Sequence, residues 1–327
     1  MAKKSESDPS FALRLVRRPV HGVLLLDKPP GLSSNDALQK CKWLLRAEKA
    51  GHTGTLDPLA TGVLPLCFGA ATKFSQLQLE ADKTYEAIAV LGIRTSTGDA
   101  EGEVIEQGPV PQITDAALAA LQARFTGALR QVPPMHSALK KDGKALYEYA
   151  RAGIEVEREP RDVTIHSLAI ATATDAGRPA LRFTARVSKG TYIRTLGEDL
   201  GTALGCAAHL SHLRRIGTGH FDVSQCVTLP ALEAMPESAR ESLLLPPQAL
   251  LEGHTHVTLT ADDAARFLSG LRRRGDWADA PRIAVFGPDR MLLGTAHARA
   301  GELIPGRLLS PIEIQQFQQP RQAAETA

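Results

Sequence analysis

The pattern that most constrains this chain is a change of hydrophobic period around Gly190. In LRFTARVS, Leu181, Phe183, Ala185 and Val187 alternate with Arg182, Thr184 and Arg186, whereas beyond Gly190 the apolar residues Ile193, Leu196, Leu200 and Leu204 lie three or four apart. A period of two buries one face of a strand and a period near 3.6 buries one face of a helix. A strand therefore runs through a short turn into an amphipathic helix, with Arg194 in the helix's first turn.

Elsewhere the same reasoning gives a sparse set of elements. VLLLD, beginning after Gly22, is a short apolar run stopped by KPPG, as a buried strand entering a turn would be. Leu38, Cys41, Leu44 and Leu45 predict a helix from Asn35 to about Ala47, with Ser33 or Ser34 capping it. YEAIAVLG, from Tyr85, reads as a strand. Near the end, TADDAARFLSGLRR reads as a capped helix, and RIAVFG, GPDR and MLLGTAHA read as a hairpin.

At 327 residues the chain exceeds what one core usually organises, so a large and a small domain are expected. The paired prolines and glycine of ESLLLPPQALLEGHTH mark the boundary, with the small domain starting close to His256. A net charge of +2 rules out a uniformly basic nucleic-acid binder, so any RNA-binding face must be a local patch. Cys41, Cys67, Cys206 and Cys226 form no C-x-x-C pair and read as reduced, mostly buried thiols. The N-terminus lacks the apolar run of a secretory signal, and no apolar stretch is long enough to span a membrane, so a cytoplasmic location is expected.

Chemistry concentrates in GHTGTLDPLATGVLPLCFGAATK, from Gly51 to Lys73, where glycines and threonines surround the single acidic residue Asp57. A carboxylate in a glycine-rich loop, followed by Pro58, can be held rigidly and presented to a ligand, as a nucleophile or general base requires. A turn aspartate bonded to its own backbone is the competing reading. Cys206, His209 and His212 form a C-x-x-H-x-x-H run, but on a helix the spacing of three then three sends the side chains in drifting directions, so no metal site is expected. FGAATK and GTGHFD each lack part of a nucleotide-binding fingerprint, so no nucleotide cofactor is implied.

LDKPPGLSS, GHTGTLDPLATGVL, KTYEA, SKGTYIRTLGEDLG and HLSHLRRIG, in this order from about His21 to Gly217, resemble the TruB family, the bacterial pseudouridine synthases that modify uridine at tRNA position 55. The resemblance implies a mixed α/β (α+β) pseudouridine-synthase fold with a largely antiparallel central sheet. It also implies a mobile thumb insertion and a small C-terminal PUA-like β domain that binds RNA. Asp57 matches the family's attacking carboxylate, Arg194 its partner cation, and Tyr85 the residue that stacks on the target base and can serve in proton transfer, so the resemblance implies these three as the catalytic residues. His52, Tyr85, Tyr192 and Leu213 match substrate-pocket positions, and Lys28 is counted with the substrate-binding residues in a segment expected to buttress the active-site loop. A paired cation is also what physical chemistry asks of a carboxylate kept ionised in a cleft, and an arginine fork can hold one carboxylate by two hydrogen bonds.

The expected domains are a loose tail over 1–20, a catalytic domain over 21–247 with the thumb at about 131–160, a PUA-like domain over 250–315 and a loose tail over 316–327. In the thumb, Lys140, Lys141, Lys144, Tyr147, Tyr149 and Arg151 mix phosphate-binding cations with stacking rings, although Asp142 and Glu148 interrupt the charge. Arg214, Arg215, Arg272, Arg273 and Arg274 supply further basic patches. The expected partner is the T stem-loop of tRNA, with no cofactor, no metal, no membrane and a monomeric chain. A non-catalytic RNA-binding protein or tRNA-folding chaperone is the alternative. A nucleosidase pairing Asp57 with Glu198 or Asp199 is a third reading.

Overall fold

The computed structural model describes residues 16–318. The central sheet runs in the order Val227–Thr228, Gly22–Lys28, Thr61–Phe68, Ala208–Thr218, Lys83–Leu91, Arg178–Val187, Arg161–Asp175 and Gly127–Gln131. Two neighbour pairs are parallel, Gly22–Lys28 with Val227–Thr228 and Thr61–Phe68 with Ala208–Thr218, and the others are antiparallel. The mixed, largely antiparallel sheet is thus present.

Period two holds along Arg178–Val187, where Leu181, Phe183, Ala185 and Val187 are at most 1% exposed and Arg182 and Arg186 face solvent. Helix Ile193–Leu204 lays Leu196 and Leu200 onto the same core and ends on Gly205, whose φ of +84° suits glycine. The helix lies so close to the sheet that a Cβ on Gly201 would sit 2.5 Å from the Ala208 Cβ. Helix Ser34–Leu44 is capped by the Ser33 side chain, which accepts from the Asp36 amide, and it stops short of the expected Ala47.

Several expectations need correcting. The N-terminal tail does not extend to residue 20: Arg18 bridges to Ala47, the Arg18 amide donates to the Arg46 carbonyl, and Val20 is only 2% exposed. Residues 1–15 lie outside the described part. At the other end, helix Pro311–Gln318 carries order past residue 315, and Phe317 packs beside the His21 ring; residues 319–327 lie outside the described part. His209 and His212 sit on strand Ala208–Thr218, not on a helix. Long-range pairing with Lys83–Leu91 overrides the local spacing there, and His209 Nδ1 lies 3.0 Å from the Ile93 carbonyl oxygen.

Residues 255–308 form a second sheet, ordered Thr255–Thr258, Ala280–Phe286, Leu292–Arg299, Glu302–Leu308 and Arg273–Arg274. Helix Ala261–Leu268, capped by Thr260, covers a core that includes Phe267, Ile283, Val285 and Leu303. Another apolar cluster joins the two sheets, with Val23, Leu25, Val63 and Phe74 packed against Leu250, Leu251, Leu292 and Leu309. Lys73 reinforces the joint by donating to the Leu308 carbonyl (2.9 Å) and the Glu313 carboxylate (2.5 Å).

The insertion leaves the sheet at Gln131 and returns at Arg161, which are register partners. Between them Lys140–Lys141 pairs with Lys144–Ala145, and helix Leu146–Arg151 follows. Lys144 lies over the Tyr149 ring and Arg151 over the Tyr147 ring.

Candidate active site

Four segments converge on Asp57. Its loop precedes strand Thr61–Phe68 and is gripped from below by the KPPGLSS turn. Lys28, fully buried, donates through Nζ to the carbonyls of Pro29 (2.9 Å), Leu32 (2.6 Å) and Pro58 (3.3 Å). The Gly31 amide donates to the same Pro58 carbonyl at 2.9 Å. Ser34, 1% exposed, accepts from the Leu56 amide at 2.7 Å and donates back to the Leu56 carbonyl at 3.0 Å. Both neighbours of Asp57 are therefore pinned by main-chain hydrogen bonds, which leaves its side chain free to point outward. Gly62 is needed just beyond: its φ is +101°, and a Cβ there would lie 2.1 Å from the Arg215 carbonyl oxygen.

The second segment is the first turn of helix Ile193–Leu204. Arg194 Nε lies 3.0 Å from Asp57 Oδ2, with the Arg194 side chain 7% exposed and that of Asp57 36% exposed. The expected bidentate grip on one carboxylate is absent. The fork is shared instead: Nη1 donates to the Thr97 carbonyl (2.9 Å) and lies 3.6 Å from Asp99 Oδ2, while Nη2 donates to the His136 carbonyl (2.7 Å). A guanidinium with this many partners has its orientation fixed from three directions.

The third segment, around Asp99, was not singled out from the sequence. Asp99 is 2% exposed, accepts from the Thr97 hydroxyl at 2.6 Å and from the Glu101 amide at 3.1 Å, and faces Arg194 as a second carboxylate. Only the fold brings TSTGDAEG to the helix terminus, so nothing local in its sequence marks it. Burial pushes the Asp57 carboxyl above its ordinary range, Arg194 opposes that shift, Asp99 adds to it and Lys28 opposes it. Burial lowers the Lys28 ammonium to about 8, with Asp57 pulling the other way.

The fourth segment is the thumb root, which supplies the His136 carbonyl. Burial lowers the His136 imidazole, helped by Arg194. Tyr192 is the N-cap residue of the Arg194 helix, and burial raises its phenol. Tyr85 is half-buried on Lys83–Leu91 and packs against the main core, between Ala185 and Arg215 in register. Leu213 is 6% exposed and lies opposite Ala87. His52 ends the short strand Ala50–His52, opposite Leu66, with its buried Nδ1 lacking a hydrogen-bond partner among the described residues. Burial and then Arg215 lower its pKa. Asp57 and Arg194 touch directly, and Lys28 reaches the Asp57 loop through main chain. Arg194 is the single ion-pair partner of Asp57 among the described residues.

The expected basic patches are largely occupied. Arg215 is 1% exposed and donates to the carbonyls of Val63 and Gly54. Arg214 forks onto Asp27 at 3.0 and 2.8 Å, Arg272 and Arg274 pair with Glu302, and Arg273 pairs with Asp263. Glu198 and Asp199 follow Arg194 on the helix, and burial raises both, Asp199 to about 6.

The Asp57–Arg194 pair stands at the start of a helix beside a mixed, largely antiparallel sheet, and comparison with known proteins gives the class, that of the pseudouridine synthases. Solved structures share the fold: a chain of a Cbf5-Nop10-Gar1 complex superposes with TM-score 0.67 at 24% identity, over 95% of this chain and 94% of that one. Residues 42–193 match the model of the TruB family pseudouridylate synthase N-terminal domain, and residues 194–252 match that of the tRNA pseudouridylate synthase B C-terminal domain. The tRNA pseudouridine synthase B of Verminephrobacter eiseniae is 61% identical over 94% of this chain and 95% of its own length. That of Ralstonia nicotianae is 57% identical over 93% and 99%. The chain belongs to the TruB family. No helix among the described residues is long and apolar enough to cross a membrane.

Proposed function

We propose that this chain isomerises a uridine in the T loop of tRNA, at position 55, to pseudouridine, with Asp57 as the attacking carboxylate. The observation that carries the reading is the Asp57–Arg194 pair, 3.0 Å long and set where the carboxylate stays partly open to a ligand. The relatives' name, tRNA pseudouridine synthase B, supplies the substrate class. The glycosidic bond breaks, the uracil rotates, and it is rejoined through carbon. The product is an isomer, so the reaction needs no energy source and no cofactor.

Each neighbour of Asp57 has a role. Burial pushes the Asp57 carboxyl up and Arg194 opposes that shift, which favours the ionised form an attacking group requires. A T-loop uridine must leave its stack before reaction, and Tyr85 offers the flipped base an aromatic face. Tyr192 and Leu213 line the pocket. His52, whose lowered pKa favours the neutral imidazole, meets the RNA beside the emptied position. Lys28 acts through the Pro58 carbonyl as a positioning residue. The chain works as a monomer on the T stem-loop.

The test is incubation with an unmodified tRNA transcript, followed by nucleotide-resolved mapping of pseudouridine, with Asp57→Asn alongside. One T-loop product, absent with the variant, is expected. Binding without isomerised uridine in any of several tRNAs would overturn the enzymatic reading and leave an RNA chaperone.

A further inference from the structure

The thumb is joined to the catalytic centre by a residue that neither motif reading nor the family resemblance singled out. Gln131 is 3% exposed and stands where the edge strand Gly127–Gln131 ends and the insertion begins. Its carboxamide grips the main chain of Tyr192 on both sides: Oε1 accepts from the Tyr192 amide at 3.0 Å, and Nε2 donates to the Tyr192 carbonyl at 3.3 Å. Tyr192 has no side-chain cap of its own and starts the helix whose second residue is Arg194. Five residues after Gln131, the His136 carbonyl receives Arg194 Nη2 at 2.7 Å.

We propose that Gln131 is a positioning residue for the reaction: it ties the root of the thumb to the start of the Arg194 helix and so sets where Arg194 meets Asp57. A carboxamide suits this task, because one rigid planar group supplies both the donor and the acceptor that a main-chain N–H and C=O require. Glutamate would keep the acceptor and lose the donor, whereas methionine would keep the volume and lose both. Gln131 and Arg161 are register partners at the two ends of the insertion, so a displacement of the thumb reaches Tyr192 and Arg194 through the same junction. RNA that orders the thumb would thereby order the ion pair.

The inference rests on the proposed pseudouridine chemistry, and its test is built to fail separately from it. Wild type, Gln131→Glu and Gln131→Met, each confirmed folded by circular dichroism, are compared on tRNA transcript for kcat, KM and the pH profile. In parallel the Asp57 carboxyl is titrated by carbon-13 NMR. A catalytic group misplaced by about 1 Å loses roughly a hundredfold in rate, so Gln131→Met should lose roughly 10–100-fold in kcat with KM changed by less than about threefold, and Gln131→Glu should fall between it and wild type. The charged and titratable groups acting on Asp57 are Arg194, Asp99, Lys28 and Glu101, with His136 and Tyr192 also facing it. Loosening Arg194 removes the strongest of the influences that lower the Asp57 pKa, so the acid limb and the NMR titration of Gln131→Met should both move to higher pH. A folded Gln131→Met with wild-type kcat and an unmoved Asp57 titration would overturn the assignment, as would a loss confined to KM. Wild-type protein inactive on every RNA would overturn the proposed function instead, and the NMR titration would still decide the role of Gln131.

Discussion

Replacing Ser34 by alanine should damage catalysis more than its distance from the chemistry suggests. Ser34 holds both polar atoms of the Leu56 main chain, at 2.7 and 3.0 Å, and Leu56 is itself only 3% exposed, so water cannot replace the lost hydroxyl. A buried donor or acceptor left unsatisfied costs about 1–3 kcal/mol, which puts Ser34→Ala at about 2–4 kcal/mol once partial relaxation is allowed. For a chain of this size that corresponds to a melting-temperature loss of roughly 3–6 °C. Leu56 immediately precedes Asp57, so the freed backbone shifts the carboxylate against an arginine that other partners hold in place. The kcat for a tRNA transcript should fall roughly 10–100-fold while KM stays within about threefold, because the pocket side chains are untouched. Thermal melting and steady-state kinetics on the same preparation check both figures. A folded Ser34→Ala whose kcat is within about twofold of wild type would refute the claim that this clamp sets the Asp57 geometry.

Two further outcomes follow from the same geometry. Arg194→Lys keeps a cation but cannot serve Asp57, Thr97, Asp99 and His136 together. Its kcat should drop by roughly 10²–10³, and the acid limb of its pH profile should lie higher than the wild-type limb, since the Asp57 pKa is already raised and an ammonium that no longer meets the carboxylate in the same geometry opposes that shift less; an unshifted limb counts against the pairing. Between the sheets, a double-mutant cycle on Lys73→Ala and Glu313→Ala should return a coupling of roughly 1–2 kcal/mol in thermal unfolding, reduced by salt, because both side chains are only partly exposed; a coupling near zero would remove this pair from the joint.

How far the chain could be read depended on whether a feature was local. The alternation ending at Val187 and the helix beginning at Ile193 are written in consecutive residues, and they placed Arg194 in the first helical turn, where it is found. The Gly/Thr loop marked Asp57 for the same reason. By contrast, Asp99, Gln131 and Ser34 acquire their roles from partners 95, 61 and 22 positions away in the chain, and no spacing rule encodes those partners. His209 and His212 fit a helical reading until a cross-strand neighbour, Lys83–Leu91, settles the matter. The basic patches show the same limit from the other side. A run of arginines says that charge is present, but only the fold reveals that Arg214 is matched by Asp27 and that Arg215 is spent on buried carbonyls.

The arrangement around Arg194 also shows how one arginine can oppose the upward shift of a desolvated carboxylate without covering it. A guanidinium forked squarely onto Asp57 would satisfy both oxygens and hold the carboxylate away from a substrate. Here a single Nε–H meets one oxygen, and the remaining donors are drawn off by the Thr97 and His136 carbonyls and by Asp99. On the proposed mechanism Asp57 thereby keeps an oxygen for chemistry while the positive charge stays within about 3 Å. The second carboxylate has a cost, since Asp99 raises the Asp57 pKa, and Lys28, fully buried beneath the loop, offsets part of it. Glu101 and Arg215 are also within electrostatic reach, so the cluster mixes carboxylates with cations, and the uncharged uracil ring of the proposed substrate can enter without bringing a counter-ion. The phosphates on either side of it are left to cations outside the cluster, which is consistent with the thumb carrying Lys140, Lys141, Lys144 and Arg151.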